Sequence, residues 1–374
     1  MKNTVHIISV ILLILSVSCS REKSGYSNYT ATNDIKYSSL LRISENKGNK
    51  LVRILSPSDS TKTLATYLLV PRNEKVRENR KDVQILHVPL NKIVVYSSVH
   101  ASVLEELGAT EIVKGVADAQ FFKLDFIKKG IETGEITDIG QSSSPSMEKL
   151  IHLSPECVMI SLYEGMTVPD FSSSGIVYLK LADNLETSPL GRAEWIKFIG
   201  LLTGEELKAD SIFRTVEKNY LTLKQKAYNA KSRPKVITDN IYQGIWYVPG
   251  GRSYQARMIE DAGGIYPWND NKDTGSLSLA FEEVYAKASD ADIWLYKGFG
   301  IEPTCDAVVS TDPRHGKINA LYNGGLWICD TSSSSLFEDF PFHPDLLLEE
   351  YLTIFHPELN KGKSTRYFTK AIQK

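Results

Sequence analysis

A long amphipathic pattern occupies the middle of the chain, residues 203–230. Thr203 and Glu206 have the spacing of a capping box, and Pro234 follows the last apolar position and cannot continue a helix. The pattern predicts one helix of about 40 Å, since each residue adds about 1.5 Å. Such a helix either joins two halves of the protein or lies on the surface of one large domain. Apolar residues keep to one stripe of a 3.6-residue period at Ala209, Ile212, Phe213, Val216, Tyr220, Leu223 and Ala227.

Strand-type and helix-type patterns alternate on both sides of this helix. Runs at 40–44, 51–55 and 64–70, separated by polar turns, predict a β-hairpin or meander added to the first half. The later alternation predicts an α/β fold of two Rossmann-like lobes, each with a mostly parallel sheet whose carboxyl edge faces a shared cleft. The predicted strands are 92–98, 112–116, 157–161, 176–179, 235–239, 293–296 and 326–329, and the predicted helices are 100–107, 146–152, 253–261, 281–288 and 344–355.

The N-terminus has the features of a secretory signal. Lys2 precedes an apolar run, 5–17, that is too short to span a bilayer. The run ends in Leu-Ser-Val-Ser-Cys, which resembles a bacterial lipoprotein box with Cys19 as the acylated residue, although Ser16 stands where leucine is usual. A plain signal peptide with an incidental cysteine is the alternative. The expected organisation is a signal peptide at 1–19, a flexible tether at 20–35, a first lobe at 36–202, a linking helix at 203–231 and a second lobe at 232–374.

Composition narrows the class of protein. A hydrophobic fraction of 42% and a net charge of −2 are typical of a globular body and argue against a nucleic-acid-binding protein. Besides Cys19 the chain has only Cys157, Cys305 and Cys329, too few for a disulfide scaffold, and a Cys305–Cys329 bridge stays undecided. The histidines outside the signal show no zinc-ligand spacing, so no direct metal site is expected.

One module occurs once in each half. It consists of a short helix, a tight turn and a buried strand, at 146–158 and again at 279–293. Glu148 and Glu282 occupy the first turn of the two helices. Unpaired N–H groups and the helix dipole stabilise a carboxylate there, so capping alone would explain either glutamate. Their matched positions favour a shared function.

Aromatic and polar residues fall where the predicted strands end. Aromatic rings supply apolar area at low entropy cost, and the planar arginine group pairs with carboxylates or phosphates. Together they predict a cleft for a large planar or chelated ligand with acidic edges, such as a corrinoid, a porphyrin or a ferric chelate. A packed core aromatic or a surface arginine is the alternative for any one of them. The candidate ligand-binding residues are Tyr96, Ser97, Ser98, Tyr163, Trp246, Tyr247, Arg252 and Trp327.

From about residue 35 to 370, the chain resembles the helical-backbone (class III) substrate-binding proteins of bacterial ABC importers, which carry cobalamin, ferric siderophores or haem. The segments that carry the resemblance are VPLNKIVV at 88–95, LEELGA at 104–109, SPLGRAEW at 188–195, WYVPGGRSY at 246–254, PFHPD at 341–345 and FHPEL at 355–359.

The resemblance implies a function and a set of partners. It implies a periplasmic monomer, lipid-anchored through Cys19, that captures a metal chelate between its lobes and delivers it to a permease with its ATPase. A rigid linking helix would limit closure. In this family one glutamate per lobe docks onto permease arginines, and Glu148 and Glu282 match those positions. Whether the anchor lies in the inner or the outer membrane stays open.

A two-lobed α/β enzyme acting on a sugar or a cofactor in the same cleft is the main alternative. Gly-Lys-Ser at 362–364 imitates the end of a phosphate loop, but Pro357 stands where the loop requires its first glycine. The chain has no Gly-x-Ser-x-Gly elbow and no recognisable acid and base pair. We therefore expect no catalytic residue and no resident cofactor.

Overall fold

The computed structural model describes residues 28–32, 34–75, 82–162 and 175–373. The predicted signal peptide with Cys19, and the cleft candidate Tyr163, lie outside these residues. The strands are β1 (Thr30–Ala31), β2 (Leu41–Asn46), β3 (Asn49–Leu55), β4 (Thr63–Pro71), β5 (Gln84–Val88), β6 (Ile93–Val95), β7 (Val113–Val116), β8 (Thr137–Asp138), β9 (Gly140–Gln141), β10 (Ser144–Pro145), β11 (Cys157–Ser161), β12 (Val177–Leu181), β13 (Val236–Thr238), β14 (Ile241–Tyr242), β15 (Ile245–Pro249), β16 (Ser276–Leu279), β17 (Ile293–Gly298), β18 (Leu326–Asp330) and β19 (Thr369–Lys370).

Helices cover the sheets and connect them. They are α1 (Ser98–Leu107), α2 (Asp125–Thr133), α3 (Met147–Leu153), α4 (Pro189–Ala193), α5 (Ile196–Thr203), α6 (Glu206–Tyr228), α7 (Tyr254–Asp261), α8 (Phe281–Ala288), α9 (Cys305–Thr311), α10 (Leu336–Asp339) and α11 (Pro344–Phe355). In the part of the chain that the structure describes, no helix is both long enough and apolar enough to cross a membrane.

The first lobe is built on a five-stranded parallel sheet in the order β12-β11-β6-β7-β8. Val94 and Val158 pack with Leu150 of α3 on one face of this sheet. Val95 and Met159 belong to the main core, together with residues of α1, on the other face. Because both faces are covered, these strands carry continuous apolar runs rather than alternating ones.

The second lobe repeats this plan with a smaller sheet. Strands β13, β17 and β18 are parallel, and β19 joins the edge of β18 in the antiparallel direction. A separate antiparallel sheet, β14-β15-β16, lies between β13 and α8 in the chain. The sequence pattern predicted no strand in that region. The predicted helix–turn–strand module is confirmed in both lobes, as α3 leading to β11 and α8 leading to β17.

A further sheet, β1 to β5, is added to the first lobe. The predicted meander is confirmed as β2, β3 and β4, and the turn between β2 and β3 has positive φ at Lys47 and Gly48, as a tight hairpin requires. Two buried carboxylates attach this sheet to the lobe. Glu194 accepts hydrogen bonds from the backbone of Tyr37 and Ser38, and Glu186 accepts them from Ser39 and Leu40.

The linking helix begins later than the sequence predicts. Thr203 is the last residue of α5, and its hydroxyl donates to the carbonyls of Ile199 (3.1 Å) and Gly200 (3.2 Å) rather than capping the next helix. Gly204 ends α5 with a φ of 77°, a left-handed conformation that glycine adopts without strain. The predicted capping box is therefore wrong, and the span 203–231 shortens to α6. With 23 residues, α6 is about 34 Å long and packs against α5 of the first lobe and α11 of the second.

The three cysteines in the described residues are free thiols. Cys157, Cys305 and Cys329 are all buried, and no bridge joins Cys305 to Cys329. Burial raises the pKa of each thiol, since a thiolate would lose its hydration there.

Candidate functional site

A hollow of about 230 Å³ lies where β13 and β17 end, on the second lobe. We call it the second-lobe pocket. The carboxyl edge of a parallel sheet is the usual place for a ligand in this architecture. Strand ends, the β14-β15-β16 sheet, α7 and α10 each contribute to its wall. It is lined by Asp239, Asn240, Tyr242, Tyr247, Val248, Pro249, Gln255, Ser276, Lys297 and Phe337.

Strand alternation presents aromatic rings to this pocket. Along β15, Trp246 and Val248 turn into the core, so Tyr247 between them faces outward and is 40% exposed. Tyr242 on β14 is 63% exposed, and Phe337 on α10 is 43% exposed. Large apolar rings left in solvent around one hollow are typical of a binding surface, since folding gains nothing from exposing them.

An ion pair forms the polar part of the pocket. Lys297 at the end of β17 donates to Asp239 at a distance of 2.8 Å, and the hydroxyl of Thr238 also donates to that carboxylate. Asp239 has a φ of 66°, a left-handed conformation that costs of order 1–3 kcal/mol for a residue with a side chain. The side-chain amide of Asn240 donates to the carbonyl of Lys297. Asp239 and Lys297 thus neutralise each other.

A buried network connects this pocket to the first lobe. Asp183 lies between His100, whose Nε2 is 3.0 Å from the carboxylate, and Arg192, whose Nε donates to it at 3.1 Å. Arg192 then donates to the hydroxyl of Tyr254 at 2.6 Å, on α7 of the second lobe. The amide of Gln255, which lines the pocket, donates to the same hydroxyl at 3.3 Å. We call His100, Asp183, Arg192 and Tyr254 the interlobe network.

Electrostatics and aromatic stacking both stabilise the interlobe network. Burial opposes ionisation of Asp183, but the charges and hydrogen bonds of His100 and Arg192 outweigh it and hold the pKa of this carboxyl at about 2. The guanidinium of Arg192 also lies over the rings of Tyr254 (4.8 Å) and Phe340 (5.5 Å), which stack on each other. Phe340 in turn contacts the pocket residue Phe337. Packed side chains thus extend without a break from the pocket wall at Phe337 to the contact between the lobes at Arg192.

Two further contacts join the lobes. The ammonium of Lys123 in the first lobe donates to the carbonyls of Thr331 (2.6 Å) and Ser334 (2.8 Å), in the loop after β18. His343 of the second lobe lies 2.8 Å from the carboxylate of Glu106 on α1. The structure thus has the lobes in direct contact beside the pocket.

The predicted first-lobe candidates lie at the carboxyl end of β6. Tyr96 follows this strand and is half-buried, and burial raises the pKa of its hydroxyl to about 12. Ser97 is the N-cap residue of α1, and Ser98 begins that helix. Their role as ligand contacts stays a prediction. Arg252 is exposed in the turn before α7 and is not part of the wall of the second-lobe pocket.

Two of the predicted ligand contacts lie away from the second-lobe pocket. Trp246 is fully buried, its indole N–H donates to the carbonyl of Thr238 at 3.0 Å, and its ring packs against Trp294 and His315. Since neighbours along a strand face opposite sides, Trp246 and Tyr247 cannot both line the cleft. Trp327 lies near the beginning of β18, beside a different hollow of about 630 Å³. It is therefore at the end of the sheet opposite the pocket.

Glu148 and Glu282 lie at equivalent places in the two lobes. Each is exposed in the first turn of its helix, α3 or α8, and each helix leads into a buried parallel strand. Arg314 lies close enough to Glu282 for its guanidinium to sense the carboxylate charge. The geometry leaves both carboxylates accessible to a partner.

Several residues near the site were missed by reasoning from the sequence. Asp183 and Tyr254 belong to the interlobe network, while Phe121, 68% exposed, and Phe299, 84% exposed, follow β7 and β17. A large apolar residue directly after a buried strand was the available signal for Phe299, whereas Phe121 comes five residues after β7 and gave no such signal. Asp183 gave no such signal, because its partners are distant in sequence.

Comparison with known proteins gives one family and several structural neighbours. A family model described as "Periplasmic binding protein" matches residues 93–332, which is 240 of the chain's 374 residues. An uncharacterized lipoprotein of Methanocaldococcus jannaschii is 31% identical over 312 residues, covering 79% of this chain and 72% of that protein. The family match begins just after the added sheet and ends just after β18, so it covers the parallel sheet of the first lobe, α6 and the second lobe as far as β18.

Solved structures share the fold at low sequence identity. A periplasmic heme binding protein from Pseudomonas aeruginosa aligns with a TM-score of 0.58 at 15% identity, covering 76% of this chain and 99% of that one. An ABC-type Fe3+-hydroxamate transport system protein from Saccharomonospora viridis aligns with a TM-score of 0.56 at 18% identity, covering 72% and 94%. Each alignment covers about three quarters of this chain, so the likeness shows a shared fold.

Proposed function

The chain belongs to the periplasmic binding protein family, and we propose that it is the substrate-binding component of an ABC importer that captures a metal chelate between its lobes. The observation that carries the proposal is the second-lobe pocket. Its exposed aromatic rings, Tyr242, Tyr247 and Phe337, surround a neutral ion pair at the carboxyl edge of the sheet. Such a surface suits the organic shell of a chelate. The heme and Fe3+-hydroxamate proteins of the same fold add support.

A chelate fits better than a bare ion. Among the residues that the structure describes, no three His, Cys, Asp or Glu side chains come together as a metal site. The contacts that the pocket offers are aromatic faces, amides and one ion pair. These recognise a ligand that brings its own donor atoms to the metal.

We propose that the protein acts outside the cytoplasm on a lipid anchor. Cys19 ends the apolar segment of the signal, and the 31%-identical relative is named as a lipoprotein. Acylation of Cys19 after signal removal would tether the lobes to a membrane and keep them close to a permease. One acyl chain gives only marginal binding, so stable anchoring requires more than one.

Delivery would use the two matched glutamates. Glu148 and Glu282 are exposed on separate lobes, so a permease that contacts both would also sense the orientation of one lobe relative to the other. Cationic side chains on the permease, facing each carboxylate, complete the contact. The ATPase of the importer would then supply the energy for transport, and the binding protein would catalyse no reaction.

The charges of the site support binding rather than acid and base catalysis. A general acid at neutral pH needs a raised pKa. Asp183 has a pKa of about 2, and so does Asp330 at the end of β18, where hydrogen bonds from Ser332, Ser333 and Gly300 outweigh the opposing effect of burial. Asp239 is paired with Lys297. These carboxylates are therefore suited to hold charges in place, not to transfer protons.

Native mass spectrometry of the mature protein tests this function. The protein is mixed with ferric siderophores, haem and cobalamin, and the iron-free siderophores serve as controls. We expect a monomer that forms a one-to-one adduct with an intact chelate and does not bind the iron-free form equally well. Conversion of a ligand to a product of different mass, or the absence of an adduct with any of these chelates, would contradict the proposal.

A further inference from the structure

We infer that the cleft selects chelates that carry no net negative charge. This inference rests on the proposed function and specifies the chemical class of its ligand. It comes from the distribution of charged partners around the second-lobe pocket. An anionic chelate needs cations with unused hydrogen-bonding capacity, because transfer of a charge out of water without a partner is costly. The cations at this site are already engaged.

The pocket itself contains one cation and one anion. Lys297 is largely buried, and its ammonium lies 2.8 Å from Asp239. An anionic ligand at Lys297 would lie close to the carboxylate of Asp239 as well. Repulsion between the two anions would offset the attraction of the ammonium. Lys297 therefore cancels Asp239 and does not attract a second anion.

The other cations described near the contact between the lobes lie outside the pocket wall. Arg192 is buried and is shared between Asp183 and Tyr254. Lys123 donates to two backbone carbonyls across the cleft. Arg252, which the sequence pattern matched to the acidic edges of a ligand, is exposed and also lies outside the pocket wall. Among the described residues that line the pocket, the only lysine or arginine is Lys297, and Asp239 balances its charge.

Carboxylates at the same edge of the two sheets lack such cationic partners. Asp118, after β7, accepts a backbone N–H from Ser142 at 3.2 Å, and Asp330, after β18, accepts the N–H groups of Gly300 and Ser332 at 2.8 and 2.9 Å. Neither forms a salt bridge with a lysine or arginine of the described chain. With these carboxylates opposite Lys123, Arg192 and Arg252, the described edges of the two sheets supply no excess of positive charge for an anionic ligand.

Metal chelates differ in the net charge of the whole complex. Three singly charged hydroxamates neutralise Fe³⁺, so a trihydroxamate complex is neutral, or cationic where it carries an amine. Three doubly charged catecholates leave the complex triply anionic, and haem carries two carboxylates. The aromatic wall formed by Tyr242, Tyr247 and Phe337 suits the apolar surface of a neutral complex. The predicted ligand class is therefore a neutral or cationic metal chelate, with a trihydroxamate as the leading type.

A matched ligand series tests the inference by titration of tryptophan fluorescence. Ferrioxamine B carries a free cationic amine, its N-acetyl derivative is neutral, and its N-succinyl derivative is anionic, while the iron coordination is the same in all three. We expect the cationic and neutral forms to bind, and the anionic form to bind about tenfold more weakly, as one unpaired charge near the pocket implies. Ferric enterobactin, a tris-catecholate, should bind more weakly still.

A charge variant sharpens the test. Asp239→Asn frees Lys297 and should improve binding of the N-succinyl form relative to ferrioxamine B by about tenfold. Asp290→Asn is the matched control, because it changes the net charge equally but removes an exposed partner of Lys235 away from the pocket. It should leave the ratio of the two affinities unchanged. An equal change in both variants would overturn the assignment of selectivity to the Asp239–Lys297 pair.

The outcomes separate this inference from the function on which it rests. Preferential binding of the anionic derivative or of the tris-catecholate by the unaltered protein would overturn the charge selectivity and leave chelate capture in place. Absence of binding by ferric trihydroxamates, ferric enterobactin, haem and cobalamin alike would overturn the proposed function and the inference together.

Discussion

The two lobes share one module and differ in the element that comes after their first strand. In both, a short helix with an exposed glutamate leads into a buried parallel strand, α3 into β11 and α8 into β17. In the first lobe β6 runs directly into α1, whereas in the second lobe β13 is followed by the β14-β15 hairpin, which pairs with β16. That hairpin carries Tyr242 and Tyr247. The repeated element thus suits a partner that contacts both lobes, and the element without a counterpart contributes aromatic rings to the wall of the second-lobe pocket.

The interlobe network joins the two lobes through buried side chains. A substitution within it should cause the largest loss in the free energy of unfolding. Asp183→Ala leaves the buried guanidinium of Arg192 without its carboxylate, which should lower the free energy of unfolding by about 3–5 kcal/mol. Chemical denaturation measures this loss. Asp290→Ala, which removes an exposed pair with Lys235, should cost less than about 1 kcal/mol. Equal effects of the two substitutions would show that the network contributes no more than a surface pair.

The interlobe network also predicts that the folded protein loses stability at low pH. The pKa of Asp183 is depressed to about 2 in the folded protein, below the ordinary aspartate value of 3.8. The unfolded chain therefore binds the proton more readily, and the stabilisation is complete above about pH 4 and is lost as the pH falls toward 2. Unfolding curves of wild type and Asp183→Asn should accordingly converge over that range.

Reversal of the two shared glutamates should separate transport from binding. Glu148→Arg combined with Glu282→Arg should abolish uptake in cells that depend on this importer. In the proposed docking, each new arginine would repel the permease cation that the glutamate attracted. Chelate affinity of the purified protein should stay unchanged. Glu132→Arg, at an exposed position near the end of α2, is the control and should preserve uptake. A fall in affinity in the double variant would place these glutamates in the ligand site instead.

Removal of one aromatic ring from the wall of the second-lobe pocket should weaken ligand binding. Tyr247→Ala should weaken chelate binding about tenfold, since one exposed aromatic contact contributes of order 1–1.5 kcal/mol when desolvated by a ligand. Isothermal titration calorimetry gives the dissociation constant. Tyr285→Ala is the matched control, because Tyr285 has a similar exposure of 43% but lies on α8. Equal losses in both variants would remove Tyr247 from the site.

Loss of the contact between His343 and Glu106 should have the smallest effect, a change in how the free energy of unfolding depends on pH. Burial lowers the pKa of His343, but the hydrogen bond and charge of Glu106 outweigh it and raise that pKa above the usual value. Its stabilisation is complete below the unfolded pKa near 6.5 and is lost as the pH rises through the raised folded value.

His343→Gln should therefore remove up to about 1 kcal/mol of the stability difference between pH 6 and pH 8. His152→Gln, at an exposed position on α3, should leave the difference intact. Denaturation at the two pH values measures both. A pH dependence that persists in His343→Gln would assign it to another group.

The sequence predicted elements with strong local signals. Helix 344–355 was located because Pro344 sets its first turn, and strand 157–161 because a continuous apolar run follows a tight turn. The start of α6 was misplaced because Thr203 and Glu206 imitate a capping box, while the glycine at 204 ends the preceding helix. The pairing of β15 with β16 was missed because the two strands are distant in sequence. The β14–β15 hairpin is local, and its two-residue turn at Gln243 and Gly244 was a signal that the prediction from sequence did not use.

The site was less predictable than the fold for the same reason. Tyr247 was found, but Trp246 was assigned with it because the sequence does not say which side of β15 faces the core. Arg192 and Tyr254 are 62 residues apart and meet only after both lobes have formed around α6. Contacts of this kind depend on tertiary structure, which local pattern does not encode.

Iron anomalous scattering from a crystal of the protein with a ferric trihydroxamate tests the central claim most directly. We expect one iron peak between the lobes, beside Tyr247 and Phe337 and close to the Asp239–Lys297 pair. An iron peak in the hollow beside Trp327, or no ordered iron at a saturating chelate concentration, would contradict chelate capture at the second-lobe pocket.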